Sequence, residues 1–301
     1  IETLKHVAGF IALIGRPSVG KSTLMNKLIG EKIAIMSDRP QTTRNKIMCI
    51  LNTPAAQLIF LDTPGVHKPH HKLGEYMVKV AEDTLKSVDV VMFIVDATKP
   101  KGEEEDIILA QIKKVNVPAL LVLNKIDKLK DKGSLLGVTD YYAKTGCFKA
   151  IIPLSALTDT DFSGLVTELS QYLPESPDLF PEDMLTDQPE KVLAGELVRE
   201  KLLKAMREEV PHSIAVEVDT FKERTNGDIY IHATIFVERD SQKGIVIGTK
   251  GSMLKKIGQE ARKDIENLLD THVFLELKVK VRPDWRNHAK DLKEFGYIVP
   301  K

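Results

Sequence analysis

Short apolar runs alternate with amphipathic stretches over the first 172 residues. Ala8–Ile14, Lys46–Leu51, Gln57–Leu61, Val88–Val95, Ala119–Leu123 and Ala150–Pro153 have strand length. Between them, Lys21–Ile29, Gly74–Ser87, Glu103–Lys114, Gly133–Lys144 and Asp161–Leu173 predict helices. This alternation predicts an α/β fold, a mostly parallel sheet with helices on both faces. One pair departs from it. Asn52-Thr53-Pro54 joins Lys46–Leu51 to Gln57–Leu61 as a turn signal. That pair predicts a hairpin, hence one antiparallel strand at the sheet edge.

The alternation stops at Pro174–Pro189, where four prolines and five acidic residues fall together. Such a composition is not expected to pack a core, so the stretch reads as a linker. Domain boundaries follow: 1–173 for the first domain, 174–189 for the linker, 190–301 for the second domain. In the second, Lys191–Glu208 predicts a helix, and Ser213–Phe221 and Asp228–Glu238 predict strands around an Asn226-Gly227 turn. The amphipathic Gln242–Ile247, a helix over Ser252–Leu269 and a strand over His272–Val281 complete it.

Composition changes this picture little. Basic and acidic residues balance at 43 each, so net charge names no partner. Their distribution is uneven: residues 241–301 carry 13 basic and 8 acidic side chains. That gives the C-terminal part a modest basic bias. Cys49 and Cys147 are the two cysteines. They offer no metal spacing and no disulfide framework, so a reducing intracellular compartment is expected. No apolar stretch approaches the roughly 20 residues of a membrane span, and the N-terminus lacks a signal-peptide core. A start at Ile1 without methionine is expected of a trimmed chain.

The strongest chemical signal is Gly15-Arg16-Pro17-Ser18-Val19-Gly20-Lys21-Ser22, followed by Thr23. It matches G-x-x-x-x-G-K-[ST] between a predicted strand and a predicted helix, as a P-loop NTPase requires. Glycines let successive N–H groups point into one concavity, and the helix N-terminus adds positive potential for phosphate. Lys21 is expected to reach the β/γ-phosphates, and the Ser22 hydroxyl a Mg²⁺ ion. Asn124-Lys125-Ile126-Asp127 selects the base. A carboxylate at a strand end accepts from both N1–H and the exocyclic amine of guanine. Adenine lacks that donor pair and would leave Asp127 unpaired, at about 1–3 kcal/mol or more. A P-loop kinase or ATPase fails on this motif.

Asp62-Thr63-Pro64-Gly65 follows a strand, so Asp62 is expected to hold Mg²⁺ and the Gly65 amide to touch the γ-phosphate. In Gln41-Thr42-Thr43-Arg44, Thr43 is the first candidate for a third magnesium contact and Thr42 the second. The backbone of Ser155-Ala156 is placed to meet guanine O6. Together these elements resemble the translation-factor-like class of small GTPases over residues 8–172. That resemblance assigns Gly15–Ser22 to phosphate, Ser22 and Thr43 to Mg²⁺, Asp62–Gly65 to the γ-phosphate switch, and Asn124, Lys125 and Asp127 to guanine. Lys21, Thr43 and Gly65 are the expected catalytic contacts. Ras-type enzymes place Gln after the switch glycine to orient water. Here that residue is Val66, counted with Asp62–Gly65 among the nucleotide contacts, so slow intrinsic hydrolysis is expected. Some relatives recruit potassium through a P-loop Asn, and this chain has Ser18 there. His67 reads as a solvated loop residue or, alternatively, a catalytic one.

In the second domain the run GIVIGTKGSMLKKIG sets Gly248-Thr249-Lys250-Gly251 between two helices. Glycines there let a nucleic-acid backbone approach, and Lys243, Lys250, Lys255 and Lys256 raise the local potential. Gly244 and Ile247 lie at the groove, and at least half of its aliphatic residues are expected in the core. With this element order the domain resembles an α+β KH domain of type II. A P-loop GTPase, an acidic proline-rich stretch and a type II KH domain in one chain resemble the Era GTPases. Gln41–Arg44 and the ending Val281-Arg282-Pro283-Asp284-Trp285 support the resemblance. Trp285 reads equally as a base-stacking residue beside Arg286 or as a core anchor.

The resemblance implies a GTP/GDP switch with Mg²⁺ that binds small-subunit (16S) ribosomal RNA near its 3′ end and acts in assembly of that ribosomal subunit. It implies a cytoplasmic protein, expected as a monomer, with peripheral association at the cytoplasmic face of the inner membrane in some members. A second reading is an RNA-binding scaffold with a structural, slowly hydrolysing GTP site.

Overall fold

The computed structural model describes residues 5–298 apart from Pro40 and His67. The chain divides into two compact units. The first takes Ile1–Ala34, Thr43–Pro69 and Met77–Asp187; the second takes Ile35–Thr42, His70–Tyr76 and Gln188–Lys301.

The first unit is built on strands β1 (Val7–Ile14), β2 (Ile47–Thr53), β3 (Ala56–Asp62), β4 (Val90–Asp96), β5 (Ala119–Asn124) and β6 (Ala150–Pro153). They form one sheet in the order β2-β3-β1-β4-β5-β6. Only β2 and β3 pair antiparallel, as the hairpin reading expected. Helices α1 (Lys21–Ile29), α2 (Lys72–Leu85), α3 (Glu103–Lys114), α4 (Lys132–Ala143) and α5 (Ser163–Ser170) link them. β3, β4 and β5 are buried at every position, which explains why they read as continuous apolar runs. Register matters most for function. Leu13 pairs with Asp62 and Asp96 with Asn124, so β1 and β3 end level and so do β4 and β5, with β4 running on past Phe93, the partner of Ile14. Ligands bind at that edge of an open α/β sheet.

The composition of 174–189 misled on packing. The stretch is ordered against the first unit up to Asp187. Phe180 meets Phe10 edge to face, with ring centroids 6.3 Å apart. The buried Gln57 amide donates to the Phe180 carbonyl at 2.9 Å and accepts from Leu179 N at 2.7 Å. Ile50 N donates to Leu185 O, and Cys49 bridges to Thr186 along β2. Backbone hydrogen bonds hold this strap, and composition carries no record of those.

The second unit contains α6 (Glu190–Ala205), β7 (Ala215–Glu223), β8 (Ile229–Val237), α7 (Asp240–Ile247), α8 (Ser252–Leu269), β9 (Val273–Val281) and α9 (Ala289–Glu294). Its sheet runs β7-β8-β9, with β7/β8 antiparallel and β8/β9 parallel. Leu197 and Val198 of α6, Val246 of α7 and Ile257, Ala261 and Ile265 of α8 pack on Ile231 and Ile235 of β8. The predicted elements match within a few residues. The short α9 carries too little periodicity to be read.

Candidate functional site

The P-loop runs from the end of β1 to the start of α1. A Cβ on Gly15 would lie 2.5 Å from the Ile94 carbonyl oxygen. Gly20 has φ 104°, and a Cβ there would lie 2.3 Å from Asn124 Nδ2. Only glycine serves at that position, for conformation and for space. No side chain caps α1, so its first N–H groups are left to an anion. Lys21 is buried, and its Nζ donates to the Arg16 carbonyl at 3.1 Å. Burial pushes its ammonium pKa down, and neighbouring Asp62 opposes that shift. Arg16 turns to α3, where Nε donates to Glu104 at 2.7 Å and Nη1 to Glu105 at 3.0 Å. Ser18 holds φ 64°, a left-handed conformation that strains a non-glycine residue.

Ser22, Thr43 and Asp62, distant in sequence, meet at one point. Ser22 Oγ donates to Asp62 Oδ2 at 2.6 Å and lies 3.1 Å from Thr43 Oγ1. Thr43 Oγ1 is 3.4 Å from the same carboxylate oxygen. Asp62 Oδ1 is buried with no hydrogen-bond partner among the described residues. Two hydroxyls and an orphaned carboxylate oxygen fit a hard divalent cation such as Mg²⁺. Burial pushes the Asp62 pKa up, against Lys21 and the hydroxyls of Ser22 and Thr43; a cation would oppose that rise. The same geometry decides between the threonines. Thr42 Oγ1 donates to the Arg39 carbonyl at 2.6 Å and lies in the second unit. There, buried Arg199 of α6 donates to the carbonyls of Gln41 and Thr42, and Ile35 joins the core.

At the switch, a Cβ on Gly65 would lie 2.8 Å from Pro17 N, so this glycine packs on the P-loop. Thr63 Oγ1 donates to the Leu13 carbonyl at 2.6 Å. Pro64 is buried. The placing of Val66 against nucleotide is corrected. Its side chain is buried in the core and its amide donates to the Gly15 carbonyl at 3.2 Å. His67 lies outside the described residues.

The base end holds more surprises. Asn124 Nδ2 donates to the Val19 carbonyl at 2.8 Å, and its Oδ1 accepts from Lys125 N and Ala156 N. It ties the P-loop, β5 and the β6 loop together. Lys125 Nζ donates to the Ser18 carbonyl at 2.6 Å and to Asp96 at 2.9 Å. Asp127 is exposed in a short 3-10 turn and accepts from Ser155 Oγ at 2.6 Å. The sequence placed it on a buried strand end; its desolvation awaits a seated base. Ser155 and Ala156 stand at the same end of the site. Ala156 N donates to Asn124 Oδ1 at 2.9 Å and Ser155 N to Asp159 at 2.8 Å. Asp96 was missed. Desolvation raises its pKa, but hydrogen bonds from Thr98 and Lys125 outweigh that and hold it low. A lone Asp closing an apolar strand was its signal.

In the second unit α7 ends at Gly248, with φ 72°, where a Cβ would lie 2.7 Å from Met253 Cβ. Thr249, Lys250 and Gly251 make a 3-10 turn into α8. Thr249, Lys250, Lys255 and Lys256 are exposed, Lys243 and Ile247 half-buried, and Gly244 exposed. Of the four groove aliphatics, Ile257 is core, Ile247 and Leu254 pack at its rim, and Ile245 stands 52% exposed. Trp285 is settled as a core anchor. It is fully buried, stacks on Tyr297, and donates from Nε1 to the Ser213 carbonyl at 2.7 Å. Arg286 forks onto Glu238, at 2.7 Å for the shorter contact.

This geometry defines a P-loop GTPase followed by a KH domain. The family described as "50S ribosome-binding GTPase" matches residues 10–125, and the KH domain family matches residues 209–286. GTPase Era of Ruminiclostridium cellulolyticum is 53% identical, over 99% of this chain and all of that protein. GTPase Era of Alkaliphilus metalliredigens is 54% identical, over 98% of this chain and all of its own length. A crystal structure of an Aquifex aeolicus Era variant bound to GDP·AlF4⁻ superposes with a TM-score of 0.93 at 42% identity, over 97% of this chain and 99% of that one. Equal figures hold for Era in complex with MgGDPNP and nucleotides 1506–1542 of 16S ribosomal RNA. The chain belongs to the Era family of GTPases.

Proposed function

We propose that this GTPase binds small-subunit ribosomal RNA near its 3′ end through the KH domain and acts in assembly of that subunit. The observation that carries the reading is one chain holding both a complete P-loop site and an exposed, lysine-flanked Gly248–Gly251 loop. Support comes from the relative solved with MgGDPNP and 16S RNA at 42% identity across almost the whole chain. The match that names the 50S subunit covers only the nucleotide-binding part and says nothing of RNA.

On this reading residues 1–173 form the G domain, 174–189 the connection and 190–301 the KH domain. Gly15–Thr23 cradle phosphate, Ser22, Thr43 and Asp62 hold Mg²⁺, and Asp127 reads guanine. The Mg²⁺ neutralises charge on the phosphates. Lys21, Thr43 and Gly65 then order the switch segments, and hydrolysis releases them. The protein acts in the cytoplasm as a monomer. No helix among the described residues is long and apolar enough to cross a membrane, and peripheral association with the inner membrane has no structural feature behind it here. RNA affinity measured with GTP analogue, GDP and no nucleotide tests the coupling. Higher affinity with the analogue is expected; equal values in all three states would overturn it.

The burial of Val66 favours a second reading, an RNA-binding scaffold whose nucleotide site turns over slowly. Phosphate release with and without ribosomal subunits separates the two.

A further inference from the structure

The β7-β8-β9 sheet has a second face, away from α6, α7 and α8. Strand β9 alternates strictly, with Val273, Leu275, Leu277 and Val279 turned inward and Phe274, Glu276, Lys278 and Lys280 exposed. Register aligns Lys222, Tyr230 and Phe274 in one row across all three strands. The Tyr230 and Phe274 rings stack 5.8 Å apart with planes 23° from parallel. The Arg224 guanidinium from the hairpin turn lies over both, 5.2 Å and 5.0 Å from the centroids. Phe274 is 53% exposed. The far end of this face is closed, because Phe295 and Arg282 cover Phe236. The aromatic end is left open.

We propose that this outer face is a second single-stranded RNA contact, separate from the Gly248–Gly251 groove. A base stacks on the Tyr230–Phe274–Arg224 platform, and the sugar-phosphate chain runs along β9. The inference rests on the RNA-binding reading of the KH domain. Charge selects the occupant. Lys222, Arg224, Lys278 and Lys280 form no ion pair among the described residues, while two carboxylates of this face are engaged, Glu276 by the Tyr230 hydroxyl at 2.9 Å and Asp219 by the Thr234 hydroxyl at 2.7 Å and by His232. Spacing agrees. Lys278 and Lys280 are two residues apart on one face, about 6.6 Å at strand rise, close to the phosphate repeat of an extended strand. Stacked aromatics beside an arginine bind bases of any identity, so little sequence preference is expected. β9 is the sheet's edge strand, and α7 and α8 pack on its inner face, so one RNA strand rounding that edge meets both surfaces.

The test uses the full chain with GTP analogue and two fluorescent single-stranded RNAs. One, of about six nucleotides, fills only the groove beside the glycine loop; the other is about three times longer. Phe274→Ala and Arg224→Ala should each weaken the longer RNA about tenfold. The shorter RNA, GTP turnover and melting temperature should not move. Phe274→Trp should restore the affinity, and 4-thiouridine in the longer RNA should cross-link to β9. Unaltered affinity for the longer RNA overturns the proposal, as a protein occupant of this face would predict. Equal loss for both RNAs, with Phe274→Trp no better than Phe274→Ala, overturns it too. If the parent chain binds neither RNA, the KH reading itself fails; if it binds the short one alone, only the platform fails.

Discussion

At the nucleotide site the charges are interred. Lys21 is 6% exposed and held by a P-loop carbonyl, and Asp62 is fully buried and held by Ser22 and Thr43. In the KH domain the cations proposed to meet RNA, Lys250, Lys255 and Lys256, stand in solvent and hold no ion pair among the described residues. The difference separates two uses of charge. Buried, preorganised groups act in low dielectric, so single residues carry large effects. Exposed lysines act through screened fields, so effects are small, additive and salt-dependent.

Four substitutions sharpen or break this contrast. Lys21→Ala should lower phosphate release at saturating GTP by about a thousandfold, roughly 4 kcal/mol; normal turnover would mean the buried ammonium does not serve phosphate. Trp285→Ala should destabilise the chain by about 3 kcal/mol in urea unfolding. Its RNA affinity should hold wherever the protein stays folded, since this region's large effect lies in the core. Val66→Gln should lower stability by about 1–3 kcal/mol, because an amide enters an apolar core. It should not accelerate turnover, and a faster enzyme would show that position 66 reaches the nucleotide. Lys250→Asp should weaken RNA binding only about tenfold and flatten its salt dependence, with GTP turnover unchanged. Joint loss of both activities would erase the distinction.

The same contrast governs what could be read in advance. Gly15–Ser22 and Gly248–Gly251 are contiguous, so their spacing alone declares them. Element order and the β2–β3 hairpin were legible because each strand's burial fixes its apolar pattern. The convergence of Ser22, Thr43 and Asp62 was readable only by analogy, since it needs β1 and β3 side by side. The partners of Asn124, Ala156 and Asp96 were not readable at all. They depend on side-chain hydrogen bonds that leave no periodicity. Trp285 stayed balanced between two roles until Ser213 and Tyr297 supplied its surroundings.

The strap along β2 has a consequence for anyone dissecting this protein. β2 is an outermost strand, and Ile50 N and the Met48 carbonyl bond to Leu185 and Thr186 rather than to another strand. An unguarded outermost strand is a template for pairing with other chains. A fragment stopped at residue 173 would keep every nucleotide motif yet strip that guard. It is expected to self-associate through β2, where a fragment carried to residue 187 stays dispersed.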